Sequence, residues 1–147
     1  MKGFTCKVCS FISINGSAPD KCPVCGAPKT SFEEKADAIK TAKDPKNLSE
    51  LEKKHIPVIK VVRTCGLIPE GCLDAHVRVG EIQHPMQKEH YILHVDFYVD
   101  NEFISRIILT PDRLNPAGAL HLKAKSGRLT AVELCNLHGA WIAEVNL

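Results

Sequence analysis

The chain has 147 residues, of which 44% are hydrophobic and 24% charged, and its formal net charge is +2. This composition predicts folded structure, with room for one ordinary domain or two small ones. It argues against nucleic-acid binding and against a membrane protein, because no dense Lys/Arg block and no apolar run of ~20 residues occurs. Met1 leads straight into a cysteine motif at Cys6. We therefore expect a cytoplasmic protein, whose clustered thiols bind metal more readily than they form disulfides.

The N-terminal segment contains two CxxC pairs, Cys6 with Cys9 and Cys22 with Cys25, separated by twelve residues. Two such knuckles can face each other and close a tetrahedral site of four thiolates. A segment with so few large aliphatic residues also needs a metal to fold. We therefore predict a small metal domain over residues 1–34 with these four ligands, and two CxxC disulfides are the alternative. The geometry suits iron and zinc alike.

This segment resembles the short rubredoxin-like domain of rubrerythrins. The match covers residues 1–9, residues 18–29 and Phe32. The resemblance implies a one-electron iron centre, and a zinc ribbon is the alternative. Ser10 departs from the family pattern, which usually has glycine after the first pair, and serine adopts the required backbone conformation less readily.

Residues 35–50 are rich in Lys, Glu, Asp and Ala and are predicted to be a charged linker, with a helical turn or two near Ser49. From Pro57 onward the hydrophobic period becomes two, which is typical of half-buried strands. Short strands are predicted at residues 58–63, 75–79, 91–99, 103–109, 119–124, 129–134 and 140–145. This spacing predicts an Ig-like antiparallel β-sandwich over residues 51–147, with a small barrel as the alternative. The predicted fold class is thus mostly β.

Residues of the second domain could form another metal site. The candidates are His55, His84, His90, Cys135 and His138. A short loop separates His84 from His90, and Cys135 stands three residues before His138. Imidazole and thiolate together suit iron, copper or zinc, and five donors leave one octahedral position open. On spacing alone, ordinary surface or packed histidines are the commoner explanation.

The motifs around these residues resemble the superoxide reductase family, which includes neelaredoxins and the catalytic domain of desulfoferrodoxins. They lie at residues 55–59, 79–81, 84–86, 89–92 and 135–141. The resemblance implies that His55, His84, His90 and His138 are equatorial ligands of a non-haem Fe(II). Cys135 would then be the axial thiolate opposite the substrate position. Lys54 would be the pocket lysine that attracts the superoxide anion.

The resemblance further implies an enzyme that reduces superoxide to hydrogen peroxide with one electron from a donor such as rubredoxin or a rubredoxin reductase. It also implies a homodimer or homotetramer. Two other functions stay open from the residues: a non-catalytic electron carrier with two irons, and a structural or regulatory zinc-binding module. Reaction with superoxide separates the enzyme from the carrier, and the red colour of a ferric thiolate site excludes zinc.

Some residues depart from the family pattern. Lys53 stands where many members have a glutamate that caps oxidised iron, and we expect Glu52, one place earlier, not to reach the metal. Cys65 and Cys72 match none of the motifs. Free thiols are the commoner explanation, and a redox-active pair is the alternative. A fragment beginning near Lys46 contains every ligand of the second site, so we expect it to fold and bind one iron.

Overall fold

The computed structural model describes residues 1–147 and consists mainly of strands. The elements in chain order are β1 (Gly3–Cys6), β2 (Ile12–Ser13), β3 (Phe32–Lys35), β4 (Ile39–Lys40), α1 (Glu50–His55), β5 (Pro57–Val62), β6 (Leu73–Val79), β7 (Ile92–Val99), β8 (Glu102–Ile108), β9 (Ala117–Leu122), β10 (Arg128–Cys135) and β11 (Gly139–Asn146). A 3₁₀ turn at Lys29–Ser31 precedes β3. Neither helical element has the length and apolar character needed to cross a membrane.

Strands β4 to β11 form two sheets. A three-stranded sheet has the order β5-β6-β9, and a five-stranded sheet has the order β4-β11-β10-β7-β8. The pairs among β5 to β11 are all antiparallel. Each segment that was predicted from the period of two corresponds to one of these strands. The mostly β fold and the sandwich are therefore confirmed, and the two separate sheets exclude the barrel.

The core between the sheets comes from alternating residues of facing strands. On β6, Leu73, Ala75, Val77 and Val79 are buried while the positions between them face outward. The five-stranded sheet supplies Ile92, Val95, Phe97, Leu129 and Ala131. Burial of one Val, Leu or Phe side chain contributes about 1.5–3 kcal/mol, so this core fixes the positions of the strand ends that carry the second site.

The N-terminal segment packs on the outer face of the five-stranded sheet. Phe11 stacks on Tyr98 with a centroid distance of 6.2 Å and meets Phe103 edge-on at 5.1 Å. The Tyr98 hydroxyl donates a hydrogen bond to the Ile12 carbonyl at 2.6 Å. One buried cluster joins both parts of the chain: Cys6, Phe11, Ile12, Cys22, Ile39, Tyr98, Val132, Ala140 and Ile142.

The predicted linker also belongs to this packing. Within residues 35–50 lies β4, which pairs in parallel with β11 and places the buried Ile39 opposite Ala140. Its charged surroundings concealed this strand, because a single buried position carries no periodic signal. A fragment beginning near Lys46 would lack Phe11 and Ile39 and expose Tyr98 to water. Independent folding of this fragment stays a prediction. The domain boundaries at residues 34 and 50 also stay predictions.

Candidate metal centres

The four N-terminal cysteines converge on one point. The Sγ atoms of Cys6 and Cys25 are 3.8 Å apart, and those of Cys9 and Cys22 are 3.5 Å apart. All four sulfur atoms lie within 4.8 Å of one another. A tetrahedral metal with sulfur bonds of about 2.3 Å requires sulfur–sulfur distances of about 3.8 Å. The arrangement therefore fits a four-thiolate metal site.

Two equivalent turns build this site. The N–H of Ser10 donates to the Cys6 carbonyl, and the N–H of Gly26 donates to the Cys22 carbonyl, each at 2.9 Å. Both turns end in a left-handed residue, with φ 59° at Ser10 and 75° at Gly26. Ser10 therefore adopts the conformation that favours glycine, at a cost of about 1–2 kcal/mol. The first knuckle keeps its geometry without the usual glycine.

The environment of the sulfurs differs between the two knuckles. Burial raises the pKa of Cys9 and Cys22. The exposed Cys25 accepts a hydrogen bond from the N–H of Ala27, which lowers its pKa to about 7. Backbone donors aimed at a thiolate stabilise its charge, as expected for a metal-bound cysteine. Cys25 marks the side of the site that solvent reaches.

A second group of ligands lies where α1, the β6–β7 loop and the β10–β11 turn meet. His55 is the last residue of α1, and His84 and His90 lie in the loop between β6 and β7. Cys135 ends β10, and His138 lies in the turn that Gly139 completes with φ 73°. All five residues predicted for this site are brought together.

The four imidazoles form an approximate square. The sides, measured between ring centroids, are 4.7 Å from His55 to His84, 4.5 Å from His84 to His90, 4.9 Å from His90 to His138 and 4.8 Å from His138 to His55. The diagonal from His55 to His90 is 6.2 Å. Neighbouring rings are inclined by 68–79°. The Cys135 Sγ atom lies 3.6 Å from His138 Nδ1 and adds a fifth donor atom to the four histidines.

The hydrogen bonds of the imidazoles direct lone pairs into the square. His55 Nδ1–H donates to the Leu51 carbonyl and His84 Nδ1–H to the Pro85 carbonyl, both at 2.7 Å. Their Nε2 atoms must then be unprotonated in the neutral rings, yet they lie only 3.2 Å apart. The buried His90 Nε2 has no hydrogen-bond partner. Converging lone pairs and an orphaned nitrogen fit a bound cation.

The protonation states also favour metal binding. Burial lowers the pKa of His55 and His90, and it lowers that of His84 to about 4. These imidazoles are therefore neutral near pH 7, the form that binds a metal. Burial raises the pKa of Cys135, against the effect of the N–H groups of Leu137 and His138. A bound cation reverses this preference and stabilises the thiolate.

Glu52 has a structural role at the start of α1. One carboxylate oxygen accepts the N–H of Lys43 at 2.8 Å, and the other accepts the Ser49 N–H at 2.8 Å and the Ser49 hydroxyl at 2.6 Å. These bonds, the Ser49 hydroxyl foremost, lower the pKa of Glu52 to about 2. Both oxygens are thus engaged, and the one bonded to Ser49 completes a capping box that orders the helix carrying Lys54 and His55. Glu52 is therefore held at the start of a helix, where the sequence predicted a helical turn near Ser49, and the expectation that it does not cap the metal stays a prediction.

Lys54 lies beside the histidine cluster. Its side chain is exposed, and its charge helps to lower the pKa of His90, after burial and the effect of His138. The ammonium group is thus near enough to act electrostatically on the cluster. Its backbone carbonyl abuts Gly80, where a Cβ atom would lie 2.6 Å from the Lys54 oxygen.

Two supporting residues were missed from the sequence. Lys40 Nζ donates to the His138 carbonyl at 2.8 Å and lies 5.3 Å from the Trp141 ring, which stacks on His55 at 5.3 Å. Asn136 ties the cysteine turn to the histidine loop, because it donates to the Glu89 carbonyl and accepts the N–H of Tyr91, each at 2.9 Å. The position of Asn136 directly after Cys135 was the available signal. Lys40, in the predicted linker, offered none.

Comparison with known proteins identifies two family models in the chain. The model described as desulfoferrodoxin matches residues 47–144, and the rubredoxin-like domain of rubrerythrin matches residues 4–33. A superoxide reductase of Pyrococcus horikoshii is 35% identical over 105 residues, covering 64% of this chain and 87% of that protein. A desulfoferrodoxin homolog of Archaeoglobus fulgidus is 28% identical over 96% of this chain and 94% of its own length. The solved structure of a reduced superoxide reductase (neelaredoxin) from the same organism aligns with a TM-score of 0.58 at 30% identity, covering 76% of this chain and 98% of the other.

Proposed function

The chain belongs to the desulfoferrodoxin family, and from this membership we propose that it reduces superoxide to hydrogen peroxide. The observation that carries the proposal is the buried square of neutral imidazoles with a cysteine beside it, whose free nitrogen lone pairs converge. His55, His84, His90, His138 and Cys135 would hold iron there. Iron in this set supplies the single electron that superoxide takes up.

The surrounding residues adapt the site to an anionic substrate. Lys54 places a positive charge beside the cluster and raises the local concentration of superoxide. Cys135 would hold the iron as a thiolate and donate electron density to it, which would favour the oxidised state and weaken the hold on the product. The Nδ1 hydrogen bonds of His55 and His84 keep their rings oriented while the charge of the site changes. Two protons from solvent complete hydrogen peroxide.

The N-terminal site is suited to deliver electrons. Its exposed Cys25 faces solvent, where an electron donor such as rubredoxin or a rubredoxin reductase could dock. On the inner side, Arg106 Nη1 donates to the Cys9 carbonyl at 2.8 Å and Arg106 Nη2 to the buried Asp96 at 2.7 Å. This contact ties the first knuckle to strands β7 and β8. Iron is the metal that matches this role, since zinc transfers no electrons.

The proposal also includes the cellular location and the oligomeric state of the protein. We place the protein in the cytoplasm as a homodimer or homotetramer. The edge strand β8 exposes Ile104 and Ile108, and such apolar positions on a sheet edge favour contact with a second copy. Size-exclusion chromatography with light scattering gives the mass directly.

The proposal is tested by metal analysis and by reaction with superoxide. Protein expressed anaerobically with iron should contain close to two irons per chain and turn red on oxidation. The reduced protein should consume superoxide and form hydrogen peroxide without releasing dioxygen, which separates reduction from dismutation. An electron carrier would show the irons without the reaction, and a zinc module would show neither. Either result would reject the proposed activity.

Replacing Lys54 with alanine should slow the reaction with superoxide roughly 3- to 10-fold and reduce its dependence on ionic strength. Lys53→Ala is the matched control, because it removes the same charge one residue away. Lys53 is paired with Glu50 at 3.0 Å, which offsets its charge. Rates at several salt concentrations should separate the two variants. Equal rates and salt slopes would remove Lys54 from the mechanism.

A further inference from the structure

A third group of possible ligands lies at the opposite end of the three-stranded sheet from the histidine cluster. His55 precedes β5 and Cys65 follows it, so roughly 17 Å of strand separates the two places. Atoms of Cys65, Cys72, Asp74 and His121 lie within 4.8 Å of one another. These residues belong to none of the motifs that carry the family resemblance. The structure leaves this cluster without a role in superoxide reduction.

The sheet register brings these residues together. Asp74 on β6 stands directly opposite His121 on β9, and both face outward from the core. Cys72 precedes Asp74 by two positions and so lies on the same face. The loop between β5 and β6 returns Cys65 to this face, where the two cysteines form a disulfide. The outward face of the sheet therefore carries a compact set of two sulfurs, an imidazole and a carboxylate.

The contacts within the cluster are short. His121 Nδ1 lies 2.8 Å from Asp74 Oδ1, 3.4 Å from Cys65 Sγ and 3.6 Å from Cys72 Sγ. Cys72 Sγ lies 3.3 Å from Asp74 Oδ1. Neighbouring ligands of a tetrahedral zinc ion are about 3.3–3.8 Å apart, given bond lengths of about 2.0–2.3 Å. The two sulfur–imidazole distances and the distance from Cys72 to Asp74 already match this range.

We propose that the reduced form of this cluster binds one zinc ion through Cys65, Cys72, His121 and Asp74, and that disulfide formation releases it. Two thiolates select a thiophilic cation over magnesium or calcium, and the four-ligand set suits tetrahedral zinc. The half-exposed His121 leaves a path for the ion from solvent. Reduction frees the two sulfurs to move apart from bonding distance to the spacing of zinc ligands. The exposed loop can supply this movement, since Gly66 and Gly71 flank its centre and no other atom stands near either Cβ position.

The redox step is balanced by a peroxide. Two electrons leave the two zinc-bound thiolates, and one sulfur–sulfur bond forms. The oxygen–oxygen bond of hydrogen peroxide breaks, two protons are taken up, and two waters and a free Zn²⁺ are released. Hydrogen peroxide is the product of the proposed function, so the local source of the oxidant rests on that function. Binding of zinc to the cluster does not depend on the proposed function.

Zinc stoichiometry tests the binding. The full chain, loaded with iron and reduced anaerobically with a phosphine, is equilibrated with Zn²⁺ and desalted, and both metals are then measured. The wild type should retain one zinc per chain beyond its iron. His121→Ala and Cys72→Ser should bind this zinc at least 10-fold more weakly. His76→Ala is the matched control, because His76 is an exposed, outward-facing histidine of the neighbouring strand β6 that lies opposite Ala119, outside the cluster.

Addition of hydrogen peroxide to the zinc-loaded wild type should release the zinc to a chromogenic chelator as the two thiols disappear. Because the peroxide is added, this result does not depend on superoxide reduction, which is assayed separately on the same sample. Absence of extra zinc in the reduced wild type, or wild-type zinc affinity in His121→Ala, would overturn the metal site. Zinc that stays bound after the disulfide has formed would overturn its release.

Discussion

Replacing Cys135 with serine should lower the rate of superoxide reduction at least about 100-fold while leaving the N-terminal centre intact. Serine has nearly the same shape, so the buried end of β10 keeps its packing. Its hydroxyl, however, holds its proton far more tightly than a thiol does, so it would stay neutral and would be a poor donor to bound iron. Superoxide consumption by the reduced protein measures the loss, and the visible spectrum reports the four-cysteine site.

Cys22→Ser supplies the reciprocal control. It removes a ligand of the N-terminal site, so that centre should lose its iron and its spectrum. The histidine cluster contains no residue of that segment, so a chemically reduced sample should still react once with superoxide. Wild-type turnover in Cys135→Ser would show that the thiolate is not required. Loss of the single reaction in Cys22→Ser would contradict the separation of the two sites.

The sandwich could be predicted because its signal is local and repeated. On β6 each second residue is buried, and this alternation is visible in the sequence before any contact is known. The two knuckles were predictable for a similar reason, since each CxxC turn is formed within a few residues. The histidine cluster could not be predicted from residue spacing alone. Its spacing left ordinary histidines as the commoner explanation, and the family motifs identified its members.

Features that depend on distant contacts were not predictable. Ile39 becomes buried only because β11 passes beside it, and Lys40 reaches the carbonyl of His138 almost a hundred residues later. Residues 35–50 contain neither β11 nor His138. Their high charge was therefore the only feature from which their structure could be predicted. The cluster of Cys65 and Cys72 with His121 likewise depends on the register of β6 against β9. The two cysteines were noticed, but their imidazole neighbour was not.

Replacing Gly80 with alanine should destabilise the second site more than any surface substitution. Gly80 has φ +85°, and an added Cβ would collide with the carbonyl oxygens of Ile82 and Lys54. The same turn is bonded to the end of α1, with the N–H of Gly80 donating to Ile56 at 3.2 Å and that of Ile82 to Lys53 at 3.1 Å. To relieve the collision, the backbone at Lys54 must move, and the adjoining ligand His55 moves with it.

Gly16→Ala separates this collision from backbone strain alone. Gly16 has φ +93°, but nothing lies within 4 Å of its Cβ position. Its alanine variant should lose about 1–2 kcal/mol of unfolding free energy from the left-handed conformation. Gly80→Ala should lose at least about 3 kcal/mol, because a displaced backbone is added to the same strain. Denaturant unfolding and iron analysis measure both effects. Equal losses in the two variants, with full iron in Gly80→Ala, would show that the close approach at Lys54 does not position His55.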